Sequence, residues 1–290
     1  MILAFDIGGS RIRAAAWDGV LAPLGEVPTP VGDRAAFTTA IADFAAGTGA
    51  RGIAISIAGV VDSATWVGKV ANIPAIDGLA LGPEVAAATG LPVLVLNDAD
   101  CFALAEALQG AGRGHGTVFG VILGTGVGGG LVIGGRVVTG VGGYAGEWGH
   151  GPVIRGEYAF PCGCGHVGCL DTIGGARGLE RLHRARTGED LRSEAIVSRW
   201  QAGEAEAVRT LELWRDLVAG PLAMVVNVVG AAVVPVGGGL SLAPGLVGFL
   251  DLAVRERILR ATDTPLLVPA ECGADAGLLG AALAGQAAWG

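Results

Sequence analysis

Apolar positions along the chain fall into short blocks whose period switches between that of a strand and that of a helix. Ile2 to Phe5 is a continuous apolar run ending at Asp6; after Gly8-Gly9 the alternation Ile12, Ala14, Ala16 leads to the turn pair Asp18-Gly19. This pattern predicts a β-hairpin. Phe37, Ile41 and Phe44 recur at helical spacing, Ile53 to Ile57 reads as a buried strand ending in Ala58-Gly59, and Glu84 to Thr89 reads as a helix stopped by Gly90. Val93 to Leu96 is again strand-like, and Ala99 to Leu108 is a helix starting after Asn97-Asp98. Strands therefore alternate with helices across residues 1–112.

Val118 to Leu123 opens a second series. It runs through Gly124, Gly126, Gly128, Gly129 and Gly130 into an apolar stretch, the Gly134-Gly135 turn and a strand Val137-Val138. The order of strand, glycine-rich turn, strand repeats the opening. The repeat predicts two duplicated α/β lobes, 1–112 and 113–275, with a cleft between them that suits a small ligand. Residues 176–230 are mostly helical in pattern, with Leu211, Trp214, Val218 and Leu222 on one face, and lead to a strand Ala232 to Val236 before Gly237-Gly238-Gly239. The final helix, within 276–290, is assigned to the first lobe.

Composition narrows the function classes. Of 290 residues, 51% are hydrophobic and 16% charged, the reverse of a disordered chain. Lys+Arg is 19 against Asp+Glu 27, for a net charge of −8, and Lys69 is the sole lysine. A broad cationic face for nucleic acid or anionic lipid is excluded, so any polyanion must be held locally. The mean hydropathy of +0.57 raises the question of a membrane span in the uncharged stretch 217–250. Pro221, Asn227, Pro235, Gly237 to Gly239 and Pro244 interrupt it, so a buried helix followed by a buried strand is expected. No basic segment precedes the first apolar run, which points to the cytoplasm. The 52 glycines, more than twice the ~7% average share, imply many close backbone approaches.

Gly124-Thr125-Gly126-Val127-Gly128-Gly129 fits G-x-G-x-x-G, but Gly130 to Ile133 lead into another hairpin instead of a helix, so the dinucleotide reading is rejected. What remains is a pair of glycine-rich turns, Gly8-Gly9-Ser10 and Gly124 to Gly129, together with Gly237-Gly238-Gly239, whose free N–H groups can approach phosphate. Asp6 and Asp98 each end an apolar strand, where a carboxylate can face the cleft or simply cap a turn. Cys162, Cys164 and Cys169 give C-x-C-x4-C with His150 and His166 nearby, a zinc-like set in which spacing leaves open which imidazole completes the tetrahedron. Cys101 and Cys272 read as buried bystanders.

Taken together, Asp6-Ile7-Gly8-Gly9-Ser10, Asn97-Asp98-Ala99-Asp100, Leu123 to Gly130, Glu147-Trp148-Gly149-His150 and Cys162-Gly163-Cys164-Gly165-His166-Val167-Gly168-Cys169 resemble the ROK family of bacterial sugar kinases and sugar-responsive repressors. The resemblance implies an actin-like, ribonuclease-H-type ATPase fold. It implies that Asp98 takes the proton from a sugar 6-hydroxyl attacking ATP, and that Asp6, Gly8, Gly9, Ser10, Gly124, Thr125 and Gly126 cradle the phosphates and Mg²⁺. Gly237, Gly238 and Gly239 then border the adenosine. Gly59, Asn72, Asn97, Asp98, Glu147, His150 and Asp171 are the implied sugar contacts, and His150, Cys162, Cys164 and Cys169 the implied ligands of a structural Zn²⁺, leaving His166 at the surface. The sugar implied is N-acetylglucosamine or glucose, and the assembly a homodimer.

Four positions depart from the family pattern. Ser10 stands for Thr and Arg11 for Lys, each keeping its chemistry. Asp100 stands for Asn, adding a carboxylate beside the implied base, and Asp171 stands for Glu, shortening a sugar contact by about 1.5 Å. A kinase is expected over a sugar-sensing regulator, since no helix-turn-helix precedes the first strand and the chain is acidic. It is also expected over an idle sugar binder, which has no need of phosphate-binding turns.

Overall fold

Two five-stranded sheets built on one plan carry the chain, described over residues 1–290 in a computed structural model. The first sheet contains β1 (Ile2–Ile7), β2 (Arg11–Trp17), β3 (Leu21–Pro28), β4 (Ile53–Ile57) and, beyond a small ribbon of β5 (Val60–Val61) and β6 (Gly68–Lys69), β7 (Val93–Asn97). Its order is β3-β2-β1-β4-β7, an antiparallel meander joined to parallel strands. The second contains β8 (Thr117–Leu123), β9 (Val127–Ile133), β10 (Arg136–Val137), β11 (Val234–Gly237) and β12 (Leu267–Pro269), in the order β10-β9-β8-β11-β12 with the same pattern of directions. The duplication expected from the repeated glycine turns is thus present strand for strand, in keeping with the actin-like fold that the resemblance implies.

Every residue of β4 is buried, as a central parallel strand covered on both faces requires. On one face Phe5, Ile7, Ile53 and Ile55 pack against Phe37 and Ile41 of α1 (Arg34–Ala45) and Val85 of α2 (Leu81–Thr89). On the other, Ile2, Ala4 and Ala54 meet Leu278, Ala281 and Ala282 of the last helix, Ala276–Trp289. The register aligns Asp6 with Ser56 and Ile57 with Asn97, so β1, β4 and β7 end level. Ligands of α/β sheets gather in the crevice beyond such carboxyl ends.

Helix α3 (Asp98–Gln109) leaves β7 and lies on β8 and β9 of the second sheet, while the last helix leaves the second sheet and lies on β1 and β4 of the first; the two helices pack on each other. Both crossings depend on missing side chains. A Cβ at Gly130 would sit 2.5 Å from the Ala99 carbonyl oxygen, and one at Gly280 would collide with the backbone of Cys101. Glu106, fully buried at the end of α3, accepts hydrogen bonds from the N–H groups of Ala111, Glu271 and Cys272, tying α3 to the loop after β12.

The second lobe adds α4 (Asp171–Gly174), α5 (Ala176–Thr187), α6 (Ser193–Gln201), α7 (Ala205–Val229) and α8 (Leu246–Arg255), the final helix being α9. Trp214, Leu211, Val218 and Leu222 are fully buried in its core, as their shared helical face requires. Helix α7 continues through Pro221, where the sequence predicts an interruption. No helix is long and apolar enough to cross a membrane.

Candidate active site

A cavity of about 820 Å³ opens between the lobes, where the level ends of the first sheet face the Gly124-Thr125-Gly126 turn of the second. Asn97 caps α3: its Oδ1 accepts from the N–H groups of Ala99 (2.7 Å) and Asp100 (3.2 Å), and its Nδ2 donates to the Gly59 carbonyl (2.9 Å). That clamp fixes the next residue, Asp98, at the first helical position with its carboxylate on the cavity wall. Gly59, Asn72, Asn97, Glu147, His150 and Asp171 line the same space, with Lys69 and Tyr144 at its walls. The sequence marked Lys69 only as the sole lysine and Tyr144 not at all. A lone aromatic among the four glycines of 140–146, all with left-handed backbone, was the available signal.

Burial pushes the Asp98 carboxyl up to about 6; the Ala99 N–H opposes this, and the negative charges of Asp6 and Glu147 add to it. Glu147 is raised as well, mainly by burial, with His150 opposing and Asp171 adding. Glu147 Oε2 lies 3.7 Å from His150 Nε2.

Asp6, Gly8, Gly9 and Ser10 lie outside this lining but adjoin it. Burial raises Asp6 although Ser56 donates to its Oδ1 (3.0 Å) and Arg13 approaches its Oδ2 (3.9 Å). A Cβ on Gly9 would sit 3.2 Å from that of Asn72. Gly237, Gly238 and Gly239 also lie outside the lining; Gly238, with φ of 89°, backs directly onto Leu123-Gly124. Each outlying glycine segment thus touches a residue of the cavity lining, Gly9 meeting Asn72 and Gly238 meeting Gly124.

The side-chain donors of His150, Cys162, Cys164 and Cys169 all lie within 4.8 Å of one another. Cys162 Sγ is 3.6 Å from His150 Nδ1 and Cys164 Sγ is 3.6 Å from Cys169 Sγ. These spacings match the edge of roughly 3.7 Å that four ligands at ~2.3 Å from a zinc ion would span. The Cys164 thiol is lowered to about 6 by the backbone N–H and imidazole of His166, favouring the thiolate that binds metal. His166 Nδ1 lies 3.4 Å from Cys164 Sγ, outside the four-donor group.

Asp100, beneath Asp98, is 3% exposed, and its Oδ1 has no hydrogen-bond partner. Burial, reinforced by Glu147 and Asp98, pushes its carboxyl up to about 8. Between the ordinary carboxylate value and about 8 the folded protein keeps a proton that the unfolded chain releases, so stability falls as pH rises through that window, on the order of 1.4 kcal/mol per pH unit. Asp100→Asn is expected to raise the melting temperature, and by more at pH 8 than at pH 5. Thermal unfolding at the two pH values checks this; an equal or negative shift at pH 8 contradicts it.

The sequence profile of the ROK family matches residues 2–287. An N-acetyl-D-glucosamine kinase of Pasteurella multocida (strain Pm70) is 35% identical over 239 residues, 79% of each chain. The crystal structure of a ROK hexokinase from Thermus thermophilus superposes with a TM-score of 0.87 at 34% identity, covering 97% of this chain and 96% of that one. A ROK family glucokinase from Streptomyces griseus, solved with glucose and AMPPNP, gives 0.78 at 28% identity with 98% of both chains covered. With the family profile spanning residues 2–287, the chain belongs to the ROK family.

Proposed function

We propose that the protein is an ATP-dependent kinase that transfers the γ-phosphoryl group to the 6-hydroxyl of a hexose or N-acetylhexosamine, with N-acetylglucosamine or glucose favoured. The observation that carries this reading is the placing of Asp98, on a clamped helix start, across one cavity from the Gly124-Thr125-Gly126 turn. The relatives support it, being an N-acetylglucosamine kinase, a hexokinase and a glucokinase.

Phosphoryl transfer asks a protein for in-line positioning and charge neutralisation more than for covalent chemistry. Asp98 accepts the proton of the attacking hydroxyl; with its pKa near 6 it is ionised at neutral pH yet more basic than an ordinary carboxylate. Gly59, Asn72, Asn97, Glu147 and His150 orient the sugar hydroxyls. The N–H groups of Gly8 and Gly124 close their own turns, donating to Arg11 O and Gly126 O (3.0 Å each); those of Gly9 and Ser10 and of Thr125 and Gly126 receive the phosphates, and Gly237 to Gly239 border the adenosine. Asp6 would help to hold a Mg²⁺ ion brought in with the nucleotide, which would supply charge neutralisation. His150, Cys162, Cys164 and Cys169 hold a structural Zn²⁺, whose closed ligand set fixes the orientation of the His150 ring against the sugar.

The test is ADP release with MgATP against glucose, N-acetylglucosamine, N-acetylmannosamine, mannose and fructose. Sugar-dependent turnover is expected with at least one. Nucleotide binding without turnover on any of the five would remove the kinase assignment.

A further inference from the structure

Asp171 lines the cavity, and one of its two carboxylate oxygens is already engaged. Its Oδ1 accepts from the Val127 N–H at 2.8 Å, while its own N–H donates to the Gly149 carbonyl at 2.9 Å. Two further bonds come from the same junction of α4 and α5: Ala176 N–H donates to Gly124 O (2.8 Å) and Arg177 N–H to Thr125 O (3.3 Å). The fit is close. A side chain at Gly126 would collide with the Asp171 carboxylate, and a Cβ on Gly175 would come within 2.6 Å of the Gly126 backbone. Residues 171–177 thus form a plate behind the glycine turn, and Asp171 supplies the one side-chain bond among these contacts.

We propose that Asp171 is a positioning residue for the nucleotide: by holding the Val127 N–H from behind, it sets the orientation in which the Gly124–Val127 turn presents its remaining N–H groups to phosphate. The inference rests on the kinase reading above and assigns Asp171 to the phosphate side in place of a sugar contact. A turn of glycines has wide backbone freedom, and ordering it only when nucleotide arrives would cost affinity. The hydrogen bond from Val127 N–H to Asp171 orders the turn in advance. The carboxylate also brings negative charge close to where a polyphosphate binds, which opposes binding. The acceptor atom, and not the charge, is therefore the useful part. Through Gly149, the neighbour of His150, the same residue keeps the sugar-side loop in register with the turn.

The test measures dissociation constants for MgADP and, separately, for the preferred sugar by titration calorimetry, alongside melting temperatures. Asp171→Ala is expected to weaken MgADP roughly tenfold or more while changing sugar binding less than about twofold. Asp171→Asn keeps an oxygen for the Val127 N–H and sheds the charge, so MgADP affinity returns to the wild-type level or above it. Sugar affinity lost with MgADP affinity intact in Asp171→Ala would overturn the proposal, as would an Asn variant no better than Ala. If the Ala variant fails to fold, Asp171→Glu serves: the added methylene displaces the acceptor by about 1.5 Å, and MgADP binding equal to wild type would count against the proposal. A wild-type protein that binds MgADP yet phosphorylates no sugar removes the kinase reading instead, and the comparison of variants by nucleotide binding still stands.

Discussion

Asp98→Asn should abolish most turnover, by ~10²–10⁴-fold in kcat, while leaving the sugar dissociation constant within about threefold. The amide keeps the size and hydrogen-bonding shape of the carboxylate but cannot accept the hydroxyl proton. Asn97 still caps α3, so the backbone at position 98 stays in place. The wild-type enzyme should show an acid limb in kcat/KM near pH 6, set by the burial that raises Asp98. Below that pH the carboxyl is protonated and the base is lost; above it the rate levels off. Steady-state kinetics from pH 5 to 8 with calorimetry on the variant decide the matter. An Asn variant retaining a tenth of wild-type kcat would exclude Asp98 as the base.

Stripping the metal from the four-residue cluster should be nearly as damaging, by a different route. The stretch between His150 and Cys169 contains only a short 3₁₀ turn and two isolated bridges, Pro152 to Cys169 and Pro161 to Val167, and most of it is exposed. Without a bound ion, three thiols and an imidazole are left to hold a loop with little core of its own. Chelation, or Cys164→Ser, is expected to lower the melting temperature and to weaken sugar binding at least tenfold, because His150 is both donor and cavity wall. Nucleotide affinity should fall later and less, since Ala176 and Arg177 back the glycine turn independently of the cluster. Elemental analysis of untreated, active protein provides the control: a zinc content near zero would remove the metal from the account.

Local pattern made some of this legible. Continuous apolar strands such as Ile53 to Ile57, the helix start at Asn97-Asp98, the repeated glycine turns and the cysteine spacing all lie within a few residues of what they explain. Strand β3 escaped notice because Leu21–Pro28 is largely exposed on the sheet edge and contains two prolines and Gly25, which reads as loop. Strand β12 is three residues long, and α8 begins inside an uncharged stretch with nothing but glycine and proline to punctuate it. The site followed the same rule. The bond from Val127 to Asp171 spans 44 positions and leaves no periodic trace. The orphaned oxygen of Asp100 arises from what packs over it, which residue type alone cannot report.

The exchange of α3 and α9 between the sheets also bears on how the chain is made. The face of the first sheet formed by Ile2, Ala4 and Ala54 is covered by the 14 residues of α9, which emerges from the ribosome only after every strand of the second sheet. During synthesis that face has no partner, although its strands are among the first produced. The first lobe cannot complete its core until the whole second sheet and α9 have been made, and a truncation removing α9 should yield aggregation and not a shorter enzyme.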